Sequence, residues 1–296
     1  MSLLVNIALL LAISILWATG IAIIKELLSA FPPIFIGAAR ATVASAIILA
    51  ACLITRQKLA LAFKRSGAMA LLGGVGIATL WSMLPIGEVD IDSSLATLLV
   101  AISPFTALVV TALPPISARV RWRGWAGLIL GTAGLVLAIG PGELFDDPST
   151  LIGVTWVAAA FVCFGVYCVL TEVVMKGLSP APVAGVSILY ASFILWVLVI
   201  VVELPLDMHP DTGHWLLLLA LSALCTAIPN LLVYVLAKRA SGVFVSLFGY
   251  IMPIIGILIG YLYFHTPIVW TLYLGIPLTF AGMALVQQAR PKINEG

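Results

Sequence analysis

Long apolar runs separated by short polar gaps cover the chain from end to end. A bilayer-spanning helix needs roughly 20 mostly apolar residues. Ten such runs fit, at about 3–27, 33–55, 67–87, 93–113, 124–140, 151–175, 181–202, 214–236, 241–264 and 268–288. The gaps are too short to hold an inserted soluble domain. The pattern therefore predicts an all-α integral membrane protein with ten transmembrane helices. The first run lacks a basic n-region and is too long for a signal peptide, so it reads as the first of these helices.

The runs also repeat. Trp125-Ala126-Gly127 followed by Gly134 in the fifth run recurs as Tyr273-Leu274-Gly275 followed by Gly282 in the tenth. Ile102-Ser103-Pro104 in the fourth recurs as Ile251-Met252-Pro253 in the ninth, and Pro33 and Pro180 open the second and seventh. The register predicts two units, residues 1–142 and 143–296, of five helices each. Because five is odd, the second unit inserts upside down relative to the first. Inverted repeats are the common plan of secondary transporters, with the substrate site near the midplane between them.

Charge fixes the orientation. Of the 14 Lys and Arg residues, all but Lys25 and Arg40 sit in gaps on one side: Arg56/Lys58/Lys64/Arg65, Arg119/Arg121/Arg123, Lys176, Lys238/Arg239 and Arg290/Lys292. The acidic gaps alternate with them: Glu88/Asp90/Asp92, Glu143/Asp146/Asp147 and Glu203/Asp207/Asp211. Basic residues stay on the cytoplasmic side, so both termini are expected in the cytoplasm of a cell inner membrane. Only 9% of residues are charged and 63% are apolar, too few charges to clothe a soluble domain of this length. The segregated charge leaves no nucleic-acid patch. Cys52, Cys163, Cys168 and Cys225 fall inside apolar runs and read as buried free thiols. His209, His214 and His265 lie in or beside outer gaps without metal-ligand spacing. No cofactor or metal is expected.

A few residues could carry function. Pro104 and Pro253 are related by the repeat and are expected to kink matching helices around one cavity. Gly127/Gly131 and Gly256/Gly260 have small-xxx-small spacing and read as helix packing. Lys25, Arg40 and Glu172 are intramembrane charges. Lys25, beside Glu26, is expected to snorkel to the outer interface. Arg40 lies about two turns into the second run, where Glu26, backbone carbonyls or an anionic substrate group could pair with it. Lys25 and Glu172 occupy equivalent places in the two units and read as anchors or gates. Trp17, Thr19, Trp81, Ser82, Tyr167, Asn230, Tyr234, Ser246 and Tyr250 fall near the midplane. Each alone is as readily a packing element as a ligand contact. Together they describe a largely uncharged, aromatic-lined cavity suited to small zwitterionic or amphipathic solutes. Phosphates would require several basic groups. No acidic residue is expected at the midplane, and only Lys25, Glu26, Arg40 and Glu172 are expected in or at the edge of the hydrocarbon. Transport down a gradient, or by exchange, is favoured over obligate proton antiport.

Leu16-Trp17-Ala18-Thr19-Gly20 followed by Lys25, Pro33 and Arg40 resembles the opening of the drug/metabolite transporter superfamily in its EamA-type branch. Ser94 to Pro104, and the repeat ends at Trp125–Gly134 and Tyr273–Gly282, resemble that branch too. The family's Gly-Glu before the last helix of each repeat is replaced here by Ser117-Ala118 and His265-Thr266. The resemblance implies a central cavity ringed by helices one to four and six to nine, with the fifth and tenth peripheral. It implies export of amino acids, aromatic and other neutral ones. The expected partners are a small-molecule substrate and the lipid bilayer, and the expected state is a monomer or weak homodimer. The alternatives are a drug or quaternary-ammonium exporter, which would favour a buried carboxylate, and a non-transporting scaffold or an intramembrane enzyme. The spans contain no His-Glu-x-x-His and no Ser/His pair to support the enzyme.

Overall fold

The structure, a computed structural model, describes residues 2–91, 93–114, 121–139, 148–264 and 271–288. Asp92, Ser117-Ala118-Arg119, the acidic gap Glu143/Asp146/Asp147, His265-Thr266, the Arg290/Lys292 tail and the expected boundary at 142/143 lie outside these residues.

Among the described residues every regular element is a helix. In chain order they are α1 (Ser2–Leu27), α2 (Pro33–Ile54), α3 (Ala60–Lys64) and α4 (Ser66–Leu71), which passes through a π-helical stretch, Leu72–Ala78, into α5 (Thr79–Asp90). Then come α6 (Ser93–Leu99), α7 (Ile102–Ala112), α8 (Trp122–Ile139), α9 (Pro148–Val174) and α10 (Pro180–Leu198), which ends in π-helical Val199–Glu203. The last are α11 (Thr212–Ser222), joined through π-helical Ala223–Ala227 to α12 (Ile228–Arg239), then α13 (Gly242–Ser246), α14 (Phe248–Phe264) and α15 (Leu272–Gln288). Seven stretches among the described residues are long and apolar enough to cross a bilayer: Leu3–Leu27, Pro33–Ile54, Ser66–Asp90, Leu95–Ala112, Thr150–Val174, Pro180–Glu203 and Thr212–Arg239. The other three apolar runs of the sequence coincide with α8, with α13 and α14 together, and with α15.

Helix ends are closed by chemistry that the sequence supplies. Pro33 and Pro180 open α2 and α10, where a missing N–H costs nothing. The free amides at the start of α2 are taken by Glu203, whose two carboxylate oxygens accept from Ile34 N at 2.6 Å and Phe35 N at 2.8 Å. This ties α2 to the far end of α10. Asp211 caps α11, accepting from His214 N at 2.8 Å.

The fourth run is interrupted between α6 and α7. Pro104 has no N–H to offer Val100 O one turn back. Ser103 takes that carbonyl instead, with its N–H at 3.0 Å and its hydroxyl at 2.7 Å. The ninth run breaks at Leu247, between α13 and α14, whereas α14 itself continues through Pro253. The two broken helices cross near their breaks: a Cβ on Gly249 would lie 2.7 Å from Val100 O, so only glycine permits the approach.

α2 packs along α10, and α5 along α9, so each unit grips the other. α8 and α15 pack chiefly on one another. Their backbones touch through glycine, with a Cβ on Gly127 placed 2.6 Å from Gly282 O and one on Gly134 placed 2.8 Å from Gly275 O. The small-residue spacing at Gly127 is therefore a packing seam, as its pattern predicts.

Candidate functional site

α1, α2, α5, α9 and α14 converge on one small cavity of about 30 Å³, room for no more than a water molecule or two. From α1, Trp17, Gly20, Ile21 and Ile24 face it at helical spacing, and from α5, Leu80, Trp81 and Leu84 do so. Phe161 and Phe164 come from α9, and Phe248 and Met252 from α14. The aromatic side is a closed triad. Trp17 meets Phe248 edge-on at 4.8 Å and Phe164 at 5.4 Å, and Phe164 meets Phe248 at 5.4 Å between centroids. Such edge-to-face contacts hold rings in fixed orientations.

Among the described residues, Arg40 of α2 is the one cationic side chain on the cavity wall. It is 4% exposed, and its guanidinium carbon lies 4.5 Å from the centroid of the Trp81 ring. Its Nε donates to Thr226 Oγ1 at 3.1 Å. The Thr226 hydroxyl in turn donates to Leu221 O at 2.8 Å, five residues back, a bond the π-helical stretch makes possible. Arg40 Nη1 is buried and has no partner. A buried cationic donor left unpaired is costly. An anionic group in the cavity would satisfy it.

Glu88 corrects the sequence reading, which placed it in a solvated outer gap. It lies near the end of α5, is 0% exposed, and neither carboxylate oxygen has a hydrogen-bond partner. Lys25, Ser93 and Arg40 are the polar groups within electrostatic reach, Ser93 without ordinary hydrogen-bond geometry. Glu88 thus adds a fifth to the four charges, Lys25, Glu26, Arg40 and Glu172, that the sequence places in or at the edge of the hydrocarbon. The alternation of sign between gaps hid the fifth inside an acidic cluster. Trp81, Leu84 and Glu88 stand at i, i+3 and i+7, one face of α5, a signal present in the sequence.

Lys25 does not snorkel outward. It is half-buried, and its ammonium donates to Glu88 O at 2.5 Å and Ile91 O at 3.0 Å, closing the C-terminal end of α5. Glu172 accepts from Gly242 N at 2.5 Å, closing the start of α13. Glu26 is exposed and Arg40 does not pair with it.

Of the sequence-derived cavity residues, Trp17 and Trp81 line the cavity together. Thr19 bonds back to Ile15 O at 3.0 Å, Ser82 to Ala78 O at 2.8 Å and Ser246 to Val243 O at 2.8 Å, each within its own helix. Asn230 donates to Thr226 O at 2.8 Å and so stands next to the residue that holds Arg40. Tyr167 packs against Phe164 at 5.1 Å and edge-on to Tyr234 at 6.2 Å, and the Tyr234 hydroxyl pairs with Ser187 Oγ at 2.7 Å. These two form a buried layer behind the aromatic triad. Tyr250 turns to α8, with its hydroxyl 3.3 Å from both Thr132 Oγ1 and Leu128 O. Phe164 and Phe248 escaped the sequence reading. The repeat register marks the first of them, since Phe164 occupies in α9 the place that Trp17 occupies in α1. Three of the four cysteines are buried free thiols, and Cys163 is half-exposed.

Family comparison agrees with this layout. The model of the EamA-like transporter family matches twice, over residues 4–140 and 151–287. The chain belongs to the EamA-like transporter family. The two matches are its two repeats, and both contribute residues to the cavity wall. Among solved structures, one crystal structure aligns with a TM-score of 0.74 at 21% identity, over 96% of this chain and 97% of the other. That likeness shows a shared fold through the full length. No curated protein matches. As an EamA-like protein, the chain is a multi-pass membrane transporter of small molecules.

Proposed function

We propose that this EamA-like transporter exports amino acids, aromatic and other neutral ones, across the cell inner membrane by alternating access through the central cavity. In this reading the chain has ten spans in two inverted five-helix units, with both termini cytoplasmic. The observation that carries the substrate class is Arg40: a buried guanidinium on the cavity wall, stacked on Trp81, with one nitrogen unpaired. An α-carboxylate satisfies such a donor with charge-assisted hydrogen bonds. The triad of Trp17, Phe164 and Phe248 offers an apolar surface for a side chain. A cavity of about 30 Å³ is too small for an amino acid, so the surrounding helices must part to admit one.

A second reading, export of lipophilic or quaternary ammonium cations, draws support from the buried, unpaired carboxylate of Glu88. Counterflow in proteoliposomes separates the two. Labelled phenylalanine or leucine exchanging through the purified protein supports the first. Exchange of labelled tetraphenylphosphonium alone would support the second.

A further inference from the structure

The amino-acid reading uses only Arg40 and the aromatic wall. Glu88 is unaccounted for by it, and its position is specific. Trp81 and Leu84 line the cavity, and Glu88 continues the same stripe of α5 one turn beyond Leu84. Its side chain is 0% exposed with both carboxylate oxygens unpaired. Side chains on a helix lean toward its N-terminus, which for α5 is the direction of Trp81 and the Arg40 guanidinium above it. Seven residues of helix between Trp81 and Glu88 rise about 10 Å. That is comparable to the reach of an α-amino acid headgroup with a hydrogen bond at each end.

The charged groups facing this carboxylate are few. Lys25 approaches from α1, yet its ammonium is committed to the main-chain carbonyls of Glu88 and Ile91. Arg40 faces it from α2 and Ser93 from α6. The charged residue of α9, Glu172, is bound to Gly242 at the other end of that helix. No ion pair forms between Arg40 and Glu88. The molecule therefore holds a buried cation on the cavity wall and a buried anion one helical turn beyond the lining residue Leu84, neither neutralised by direct contact. Leaving either so is expensive unless something of opposite polarity is placed between them.

We propose that Arg40 and Glu88 form a two-point site for a zwitterion, with the substrate α-carboxylate on Arg40 and its α-ammonium on Glu88. This rests on the amino-acid reading above and deepens it. It makes Glu88 a specificity-determining residue. N-acylated amino acids and decarboxylated amines each leave one buried charge of the protein unpaired, and a site built around such a group rejects analogues that lack its partner.

The test uses the full-length protein in proteoliposomes, with counterflow of labelled phenylalanine as readout and unlabelled phenylalanine, N-acetylphenylalanine and phenethylamine as competitors. The wild type is expected to prefer phenylalanine over either analogue by about tenfold or more. Glu88→Gln is expected to weaken phenylalanine by about tenfold while leaving N-acetylphenylalanine unchanged, which removes the discrimination. Glu88→Asp, which keeps the charge, is expected to retain discrimination at a higher KM and covers the case in which Glu88→Gln inserts poorly. A purely structural role for Glu88 would lower the amount of protein without moving the competitor ratio. Undiminished preference for phenylalanine over N-acetylphenylalanine in Glu88→Gln would overturn the proposal and leave the amino-acid reading standing. Absence of counterflow for phenylalanine and leucine in the wild type would overturn both.

Discussion

Arg40 reaches from the first repeat to the second, its Nε donating to Thr226 Oγ1 at 3.1 Å. The bond fixes the guanidinium over Trp81 and leaves Nη1 directed to no protein partner. Thr226→Val keeps the shape and removes the acceptor. Hydrogen bonds between membrane helices contribute about 0.6 kcal/mol on average. Thr226→Val is therefore expected to raise the KM for amino-acid counterflow roughly threefold with normal yield. An unchanged KM would mean that Thr226 does not position Arg40.

Lys25 and Glu172 lie equally far from the start of their repeats, and each secures the link between the third and fourth helices of its own unit. Lys25 takes carbonyls at the end of α5, and Glu172 takes an amide at the start of α13. The signs are opposite because the backbone groups they meet are opposite. Lys25→Met orphans two carbonyls, at a cost of about 1–3 kcal/mol. A drop of several degrees in the melting temperature of the purified protein is expected for Lys25→Met. Glu172→Gln, which can still accept from Gly242 N, should fall by less. Equal losses would contradict this assignment.

The α8–α15 seam lies away from the cavity. A Cβ on Gly282 would stand 2.5 Å from Gly127 O, so Gly282→Leu must push the pair apart. Overpacking of this kind costs about 1–3 kcal/mol. Reduced thermal stability with an unchanged transport KM is the expected outcome. A KM change without loss of stability would place α15 closer to the transport path than its contacts do.

Orientation is checked by single cysteines in a cysteine-free background. Positions Asp90, Asp207 and Asp211 should react with an impermeant reagent from outside the cell, and Lys64, Arg121 and Arg239 should not. Mixed accessibility within either set would break the ten-span topology.

The spans were legible in the sequence because a bilayer demands apolar runs of nearly fixed length. Arg40, Trp17 and Trp81 were legible because charge and Trp are conspicuous in such runs. The identity of the cavity face was not. Helices that are apolar all round carry no moment to say which side faces protein. Phe105, at 47% exposure, and Phe164, at 2%, look alike in sequence. Tyr250 illustrates the same limit: its midplane depth is readable, but its turn toward α8 depends on how α14 is rotated. Glu88 was hidden for a different reason. An acid at the end of a run reads as solvated, and only the packing of neighbouring helices around α5, α9 and α2 foremost, buries it.

The central claim is that Arg40 binds the carboxylate of an exported amino acid, and phenylalanine counterflow through the reconstituted protein tests it most directly when wild type and Arg40→Gln are compared at matched incorporation. Saturable exchange in the wild type, with KM raised roughly ten- to hundredfold in Arg40→Gln, is the predicted result. Exchange with the same KM in both proteins would contradict it.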